Sequence, residues 1–339
     1  MATNIREMRR GYADLGDGLQ MYYETMGEGD PVIFIHQSWW SNFEFEGVLP
    51  LVAQKYKVFS PDTMGFGNSP AAPFEWEFED FSDSFIRFMD DLGIERASIV
   101  GQHTGALIGA DLGARYPDRI DKLILGGLAI YDQKLRRTKY ARRRMVGWNN
   151  GPYIKEIPPG DVIGVECGVL QKVDDGAHLL EMWMEQKREN PDSKLEYVHK
   201  ATLANMIHYD KPGADAITVL LAWEIEEALP KCKRPTLLIA GSRDCVKPPV
   251  FKTITYAGSL MGGEVKYKVI YGAGIMGWLD CPAEHAEAVL AYLDDPQAYV
   301  GTEGHELELA MQEYLYPVSD EIEFIPPDQM NELGPKKHR

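Results

Sequence analysis

His103 is the residue whose type and setting first suggest chemistry. It stands in Gly101-Gln102-His103-Thr104-Gly105, after an apolar run at residues 97–100 and before a helical pattern. The flanking glycines permit the strained backbone of a tight turn between a strand and a helix. Such a turn would hold the imidazole at the end of the strand, where it could accept or donate a proton near neutral pH. We therefore predict that His103 faces a pocket and acts there as an acid or a base.

The elements that must position this turn have the pattern of an α/β domain. Short apolar runs alternate with amphipathic helical stretches, which is typical of a parallel sheet with helices on both faces. Strands are predicted at residues 32–35, 57–59, 97–100, 122–125, 235–240 and 264–271. Residues 131–230 show charged and aromatic helical patterns without an obvious strand, so we predict an inserted helical cap there. The core would then comprise residues 1–130 and 231–300, and residues 301–339 would form a C-terminal helix and an extended arm.

The order of motifs along the chain resembles the α/β-hydrolase superfamily over residues 15–295. One strand leads into His36-Gln37-Ser38-Trp39-Trp40, the next into Pro61-Asp62-Thr63-Met64-Gly65-Phe66-Gly67-Asn68-Ser69, and the third into the Gly-x-x-x-Gly turn before a helix. The resemblance is to the cap-bearing branch with haloalkane dehalogenases, epoxide hydrolases and esterases. It implies the α/β class and an α/β-hydrolase fold, in which a mostly parallel twisted sheet carries helices on both faces and an inserted helical cap.

The resemblance also implies an altered catalytic triad. In that superfamily the turn carries the nucleophile, usually a serine, and His103 takes its place here. The loop Gly241-Ser242-Arg243-Asp244 resembles the one that carries the acid, which makes Asp244 the matching carboxylate. The loop Gly272-Ala273-Gly274-Ile275 puts Ile275 in the position of the catalytic histidine, and without that histidine no serine could be activated in the usual way. We predict instead that His103 reaches Asp244 as a catalytic pair, with the other ring nitrogen facing the substrate.

The same resemblance also predicts an oxyanion hole and a substrate pocket. The backbone N–H groups of Ser38 and Thr104 would be the oxyanion donors. Aromatic residues in the oxyanion loop and the cap favour a mainly apolar substrate. The predicted substrate-binding residues are His36, Gln37, Trp39, Trp40, Gln102, Ile275 and Trp278.

Five other ionisable residues near these motifs are expected to have no part in the chemistry. Glu44 and Glu46 are expected to be solvated helix residues. His199 and His208 are predicted to be surface or packing histidines, and His285 is predicted to face away from the site on the last helix.

A histidine–carboxylate pair beside an oxyanion hole suits proton abstraction next to a carbonyl group. The sequence therefore predicts an enzyme for a small, mainly apolar carbonyl compound, either a lyase, decarboxylase, isomerase or cyclase, or a hydrolase that activates water. No metal and no organic cofactor are expected. Two alternatives stay open: a catalytically degenerate homologue that binds a ligand or a partner, and a hydrolase that uses His103 as its nucleophile.

Composition narrows the expected partners and location. Lys and Arg number 35 against 52 Asp and Glu, a formal charge of −17 that disfavours nucleic acid and anionic membranes. The first ten residues lack the apolar segment of a secretory signal, and no run approaches the roughly 18 apolar residues of a membrane span, so a cytoplasmic protein is predicted. The four cysteines, at positions 167, 232, 245 and 281, lack the spacing of a zinc site or a disulfide framework and are expected to be free thiols.

One basic segment departs from the acidic average. Seven Lys and Arg residues fall between Lys134 and Arg144. They would form a solvated helix face, guide an anionic substrate to the cap, or contact a neighbouring subunit. The cap and the C-terminal segment are the regions expected to form any homo-oligomer.

Overall fold

An eight-stranded sheet runs through the protein and carries the candidate site at the C-terminal ends of its central strands. The computed structural model describes residues 7–128, 190–209, 225–244 and 250–303, together with residues 180, 183–184, 186–188, 211, 213–214, 216–220 and 223. The strands are β1 (Arg9–Gly16), β2 (Leu19–Met26), β3 (Pro31–Ile35), β4 (Lys57–Pro61), β5 (Ala97–Gln102), β6 (Ile120–Gly126), β7 (Thr236–Gly241) and β8 (Val265–Ile270). Their order is β1-β2-β4-β3-β5-β6-β7-β8. The β1–β2 and β2–β4 pairs are antiparallel and every other pair is parallel.

Helices connect the strands and cover both faces of the sheet. The α-helices of the described residues are α1 (Leu49–Val52), α2 (Phe78–Asp91), α3 (Thr104–Arg115), α4 (Leu195–Tyr209), α5 (Ala216–Val219), α6 (Ile225–Ala228), α7 (Val250–Leu260), α8 (Gly277–Asp280) and α9 (Pro282–Asp294). Two short 3-10 helices span Asn42–Phe45 and Leu229–Lys231. No helix among the described residues is both long enough and apolar enough to cross a bilayer.

Each central strand contributes to two hydrophobic cores, because successive side chains point to opposite faces of a sheet. Ile99 of β5 lies in the core under α2 and α3, whereas its neighbour Val100 lies in the core under α1 and α9. All six residues of β5 are buried. Burial of each large apolar side chain contributes about 1.5–3 kcal/mol, so covering both faces holds the central strands rigidly in place. The expected fold class, a mostly parallel sheet with helices on both faces, is confirmed.

Strands β1 and β2 form a hairpin that the hydrophobic runs did not reveal. The buried positions of β1 alternate with exposed ones, so its pattern resembles a half-solvated edge strand. The turn between the strands has φ of 55° at Asp17 and 76° at Gly18, the signs that a type I′ turn requires. The Asp17-Gly18 pair was therefore the local signal for this hairpin.

The described part of the predicted cap is helical. Helices α4, α5 and α6 fall between β6 and β7, and Ala214 makes an isolated bridge with Ala72 of the core. Residues 129–179 and 304–339 lie outside the described residues, and with them the basic run from Lys134 to Arg144 and most of the predicted C-terminal arm. The domain boundaries at 131, 230 and 300 therefore stay predictions.

Helix α3 lies so close to β3 that one of its positions admits no side chain. A Cβ built on Gly105 would lie 2.0 Å from the carbonyl oxygen of Ile35. A backbone oxygen in a central strand cannot move aside, so we expect Gly105→Ala to lower the free energy of unfolding by about 2 kcal/mol or more. Urea denaturation measures this change. Gly274→Ala is the matched control, because its Cβ would meet no atom nearer than 3.7 Å, and equal effects of the two substitutions would contradict this packing argument.

Candidate active site

The turn between β5 and α3 holds His103 in a strained conformation. Its backbone has φ of 45° and ψ of −107°, and its N–H donates to the carbonyl of Gly126 at 2.9 Å. A non-glycine residue in such a conformation costs about 1–3 kcal/mol, which the surrounding structure has to offset. The flanking glycines make this turn sterically feasible, as the sequence predicted.

The ring of His103 crosses the end of β6 to reach the loop after β7. Strand β6 lies between β5 and β7 in the sheet, and Gly127 follows it directly. A Cβ at Gly127 would lie 2.1 Å from Cδ2 of His103, so the absence of a side chain there leaves room for the imidazole. Beyond it, Nε2 of His103 lies 2.7 Å from Oδ2 of Asp244. The predicted contact between these two side chains is therefore present, while their catalytic roles stay predictions.

Asp244 is held in place by the loops at the same end of the sheet. It is only 1% exposed, and its backbone N–H donates to the carbonyl of Gly241 at 3.2 Å. The neighbouring Arg243 N–H donates to the carbonyl of Ala273 at 2.8 Å, which joins the loops after β7 and β8. The carboxylate therefore has little freedom to leave the histidine.

The charge of Asp244 governs the protonation of His103. Burial alone would lower the pKa of His103, because an apolar environment disfavours the cation. The attraction and the hydrogen bond of Asp244, together with the attraction of Glu44, outweigh burial, so the pKa of His103 lies above its ordinary value of 6.5. These carboxyl groups therefore favour the imidazolium form over the neutral ring.

Gln37 is hydrogen-bonded to the second nitrogen of the His103 imidazole. Nδ1 of His103 lies 3.0 Å from Oε1 of Gln37, to which it donates a hydrogen bond. We expected this nitrogen to face a substrate directly, and the structure instead pairs it with a side chain of the oxyanion loop. A substrate that contacts Nδ1 must displace the carboxamide oxygen of Gln37.

Glu44 is a site residue that the sequence argument missed. We expected a solvated side chain, but Glu44 is fully buried. Its Oε2 accepts the backbone N–H of Gln37 and its Oε1 accepts the side-chain Nε2–H, both at 2.8 Å. Burial is the main cause that raises the pKa of Glu44 to about 8. The flanking Phe43 and Phe45 were the available signal, because a carboxylate between two aromatic residues on a one-turn helix is easily drawn into a core.

Glu46 directly follows the same short helix and faces outward, as expected. Its carboxylate is partly exposed and pairs with Nζ of Lys200 at 2.6 and 2.7 Å. The two glutamates lie two positions apart, so the turn of the helix sends one inward and the other outward.

The two predicted oxyanion donors lie next to each other. Oγ of Ser38 donates to Oγ1 of Thr104 at 2.8 Å, and both residues are buried. Thr104 is the first residue of α3, so its backbone N–H has no acceptor within the helix. This arrangement is compatible with an oxyanion hole, which remains a prediction.

Three predicted substrate contacts have packing roles in the structure. His36 donates from Nδ1 to the carbonyl of Gln37 at 2.6 Å and accepts the Thr63 N–H at Nε2 at 2.9 Å. Trp278 is 1% exposed, and its indole N–H donates to Oε1 of Gln102 at 2.8 Å. The polar atoms of His36 and Trp278 are thus used within the protein. These hydrogen bonds hold the loops, and the predicted substrate contacts of the three residues stay predictions.

The remaining predicted contacts form an apolar boundary of the site. Trp40 packs in a cluster with Met276 and α4, and Trp39 and Ile275 lie against that cluster. The Ile275 carbonyl also accepts the Gln37 side-chain N–H at 3.4 Å. The cluster brings the oxyanion loop, the loop after β8 and α4 together.

The other histidines have the roles expected of them. His199 is exposed, whereas His208 is buried, stacks on Phe66 and donates from Nδ1 to the Gly65 carbonyl at 2.9 Å. His285 lies on α9, donates from Nδ1 to the Cys281 carbonyl at 2.8 Å and packs on the Trp278 ring. Burial lowers the pKa of His285 to about 4, so it stays neutral near pH 7.

Two of the cysteines fall within the described residues, and both are free thiols. Cys232 is buried and Cys281 partly buried, and burial raises the pKa of the Cys232 thiol to about 11. Within the same part of the chain, no group of three or more His, Cys, Asp or Glu side chains is arranged to hold a metal ion.

Burial of Glu44 predicts a specific pH dependence of stability. Between its ordinary pKa of 4.5 and its native pKa of about 8, the folded protein keeps a proton that the unfolded chain has released. The contribution of Glu44 to the free energy of unfolding is therefore fully present below pH 4.5. It is lost as the pH rises to about 8, at up to roughly 1.4 kcal/mol per pH unit. Glu44→Gln removes this dependence, so its unfolding free energy relative to the wild type should rise by a few kcal/mol from about pH 5 to about pH 8.

Urea denaturation at several pH values measures this difference. Glu46→Gln makes the same chemical change at the exposed carboxylate and should show no comparable trend. A constant difference between Glu44→Gln and the wild type across the pH range would show that Glu44 keeps an ordinary pKa.

Comparison with known proteins agrees with this geometry. Residues 30–165 match the family model described as alpha/beta hydrolase fold. A haloalkane dehalogenase from Mycolicibacterium paratuberculosis is 25% identical over 234 residues, which covers 67% of this chain and 72% of the dehalogenase. A 2-hydroxy-6-oxo-6-phenylhexa-2,4-dienoate hydrolase from Comamonas testosteroni is 33% identical over 120 residues, 34% of this chain and only 41% of that enzyme.

Solved structures extend the likeness to most of the chain. A hydrolase from Pseudomonas aeruginosa superposes with a TM-score of 0.62 at 18% identity, covering 86% of this chain and 99% of that one. A meta-cleavage product hydrolase from Pseudomonas fluorescens gives a TM-score of 0.60 at 19% identity, with 85% and 98% coverage. The strand order, the strained turn and these similarities agree that the chain has the α/β-hydrolase fold.

Proposed function

We propose that this protein is an enzyme that moves protons at a small, mainly apolar carbonyl compound. His103 is the acid–base group, and Asp244 positions the imidazole and stabilises its charged form. The backbone N–H groups of Ser38 and Thr104 stabilise the oxyanion that develops on the substrate. The reaction is a lyase, decarboxylase, isomerase or cyclase reaction, or a hydrolysis by activated water.

The observation that carries this proposal is the buried contact between Nε2 of His103 and Oδ2 of Asp244 at 2.7 Å. The contact requires a histidine with φ of 45° and a glycine at position 127. Strain at the turn and burial of two ionisable groups both cost stability, and an apolar residue at position 103 would avoid the second cost. Costly arrangements of this kind cluster at functional sites, which supports a role in chemistry.

The proton transfer follows from the arrangement of the two ring nitrogens. With Nε2–H held by Asp244, the neutral ring presents a lone pair at Nδ1 once the substrate replaces Gln37 there. Nδ1 takes a proton from the carbon next to the substrate carbonyl, and the electron pair of the broken C–H bond moves to the carbonyl oxygen. The imidazolium then returns the proton to carbon or to a leaving group. Raising the pKa of His103 makes the imidazole a stronger base for the first step.

A serine-type mechanism does not fit the described residues. Residue 103 has no hydroxyl, and position 275 carries isoleucine. The nearby hydroxyls of Ser38 and Thr104 bond to each other, with no imidazole shown between them. The proposal therefore assigns proton transfer to His103 and no covalent intermediate.

Two observations favour an apolar carbonyl compound as the substrate. Trp39, Trp40 and Ile275 border the site, and Trp183 packs against the same cluster. The relatives include hydrolases named for 2-hydroxy-6-oxo-6-phenylhexa-2,4-dienoate and for 2-hydroxymuconate semialdehyde, both of which are unsaturated carbonyl compounds. These two compounds, together with simpler β-diketones and β-keto acids, form the first assay panel.

A ligand-binding protein without turnover is the second candidate. The observation that favours it is the pairing of both His103 nitrogens with protein atoms, Gln37 on one side and Asp244 on the other. A binder would take up a carbonyl compound without exchanging its α-hydrogens for deuterium. Deuterium exchange followed by NMR therefore separates the two candidates even where no net product forms.

Substitutions in the pair should separate proton transfer from folding. We expect His103→Gln to abolish turnover or α-hydrogen exchange with an unchanged fold, and Asp244→Asn to lower kcat/KM by about 10²–10⁴ by losing the orientation of the ring. His103→Ser should yield no esterase, because Ile275 cannot serve as a base. Initial rates with the assay panel and with p-nitrophenyl esters measure these effects, and a robust esterase from His103→Ser would overturn the proposed role of the histidine.

The protonation of His103 can be measured without a substrate. Asp244→Asn removes the charge that raises the pKa of His103 but leaves the burial that lowers it. We therefore expect the pKa of His103 to fall from above 6.5 to below 6.5. NMR titration of the ring signals, assigned with His103→Gln, measures the change. An unchanged pKa would mean that the two side chains do not act as a pair in solution.

A further inference from the structure

Four buried side chains form one continuous hydrogen-bonded chain through the site. Asp244 pairs with His103 at 2.7 Å, His103 with Gln37 at 3.0 Å, and Gln37 with Glu44 at 2.8 Å. Each of the four is at most 8% exposed. The proposed proton transfer uses His103 and Asp244 and leaves the buried carboxyl of Glu44 without a function.

The direction of each hydrogen bond depends on the orientation of the Gln37 carboxamide. Its oxygen can only accept and its nitrogen can only donate. In the orientation of the structure, Oε1 accepts a proton from Nδ1 of His103, and Nε2 donates to Glu44. Since Nε2 of His103 also donates to Asp244, this orientation requires an imidazolium and an ionised Glu44.

Rotation of the Gln37 carboxamide by half a turn exchanges its oxygen and its nitrogen. Donor and acceptor would then be exchanged in the hydrogen bonds of Gln37 with Glu44 and with His103. The amide nitrogen would then donate to Nδ1, which requires a neutral imidazole. The amide oxygen would face Glu44, which requires a protonated carboxyl that donates to it. Both orientations contain the same number of protons and the same net charge, and they differ by one proton carried either by His103 or by Glu44.

We infer that Glu44 is a positioning residue that determines, through the carboxamide of Gln37, whether Nδ1 of His103 carries a proton. When His103 is neutral and ready to act as a base, the shared proton is on Glu44. When Glu44 is ionised, His103 is the imidazolium and can act as an acid. Gln37 connects the two groups because its carboxamide matches either state by rotation, which gives up only the 3.4 Å hydrogen bond from its N–H to the Ile275 carbonyl.

The electrostatics of the site support this exchange. Burial raises the pKa of Glu44 to about 8, which brings this carboxyl into the range where an imidazole also binds protons, and Asp244 raises the pKa of His103. The backbone N–H of Gln37 holds Oε2 of Glu44 at 2.8 Å and keeps the carboxyl facing the amide. Among the described residues, the charged groups that act on this pair are each other and Asp244, since burial lowers the pKa of the adjacent His36 to about 4 and keeps it neutral.

The catalytic consequence of this inference rests on the proposed function, but its structural content does not. If His103 transfers protons, Glu44→Gln should change the pH profile of kcat/KM without abolishing turnover. The hydrogen-bond directions can be measured in the free protein, so the link can be tested even if no turnover is ever found.

The decisive variant is Glu44→Gln. The backbone N–H of Gln37 still needs an oxygen from residue 44, so the amide nitrogen of the introduced side chain must face the Gln37 carboxamide. Gln37 then has to present its oxygen to residue 44 and its nitrogen to Nδ1 of His103. We expect Nδ1 to be unprotonated at neutral pH and the pKa of His103 to fall by about one pH unit or more relative to the wild type.

Nitrogen-15 NMR of the histidine rings, recorded against pH, measures the protonation of Nδ1 and the pKa of His103. Glu46→Gln, the same change at the exposed carboxylate, should leave the His103 signals unchanged. In a Gln37→Leu background the carboxamide link is gone, so Glu44→Gln should then have at most a small effect on His103. An equal effect in both backgrounds would show direct electrostatic action and overturn the role of Gln37, and no effect in either would overturn the role of Glu44.

The wild-type protein offers a test that does not depend on any variant folding. The NMR signals of the Glu44 carboxyl carbon, the Gln37 side-chain amide and the His103 ring nitrogens should shift together at the pH at which the shared proton is released. Separate transitions for these three groups would contradict the shared proton. The outcome is independent of turnover, so failure of this inference and failure of the proposed function can be told apart.

Discussion

The site depends on one geometric requirement: the imidazole of His103 has to cross the end of β6 to reach Asp244. Strands β5 and β7 are not neighbours, and only a long side chain can bridge the strand between them. Gly127 leaves space for the ring, Gly105 lets α3 begin directly after the turn, and the strained φ at position 103 directs the side chain over the sheet. These features make sense together only if the contact with Asp244 is what the local structure has to maintain.

Buried carboxylates hold the loops around this contact. Asp62 accepts the backbone N–H groups of Asn42 and Asn68 at 2.8 and 2.7 Å, which joins the loop after β4 to the short helix that carries Glu44. Glu44 in turn accepts two N–H groups of Gln37. Burying each carboxylate is costly without hydrogen bonds, and backbone donors satisfy them at fixed positions. The polar network therefore orients the oxyanion loop as firmly as an apolar core would, and it keeps titratable groups next to His103.

The α/β-hydrolase fold explains the scaffold and leaves the chemistry open. In this chain the strained turn at His103, the loop with Asp244 and the loop with Ser38 lie at one end of the sheet. Different chemistries occur on one fold because the residues on such loops change while the core that positions them is preserved. Here an imidazole stands at the turn, and the resemblance predicts that Ile275 replaces the usual histidine, so the activities of the relatives guide the choice of assays and do not decide the reaction.

The sequence alone predicted the six strands β3 to β8, the turn and, through the resemblance, the contact of His103 with Asp244. Apolar runs such as residues 97–100 predict buried strands, because a strand covered on both faces has few polar positions, and parallel strands bring their following loops to one edge of the sheet. Tertiary structure alone decided which polar residues lie inside. Glu44 lies on a short helix and Glu46 directly follows that helix, yet Glu44 is buried against Gln37 and Glu46 pairs with Lys200. His36, Gln102 and Trp278 likewise use polar atoms in hydrogen bonds within the protein. The partner of a buried polar atom is often far away in the chain, and a local sequence pattern does not show it.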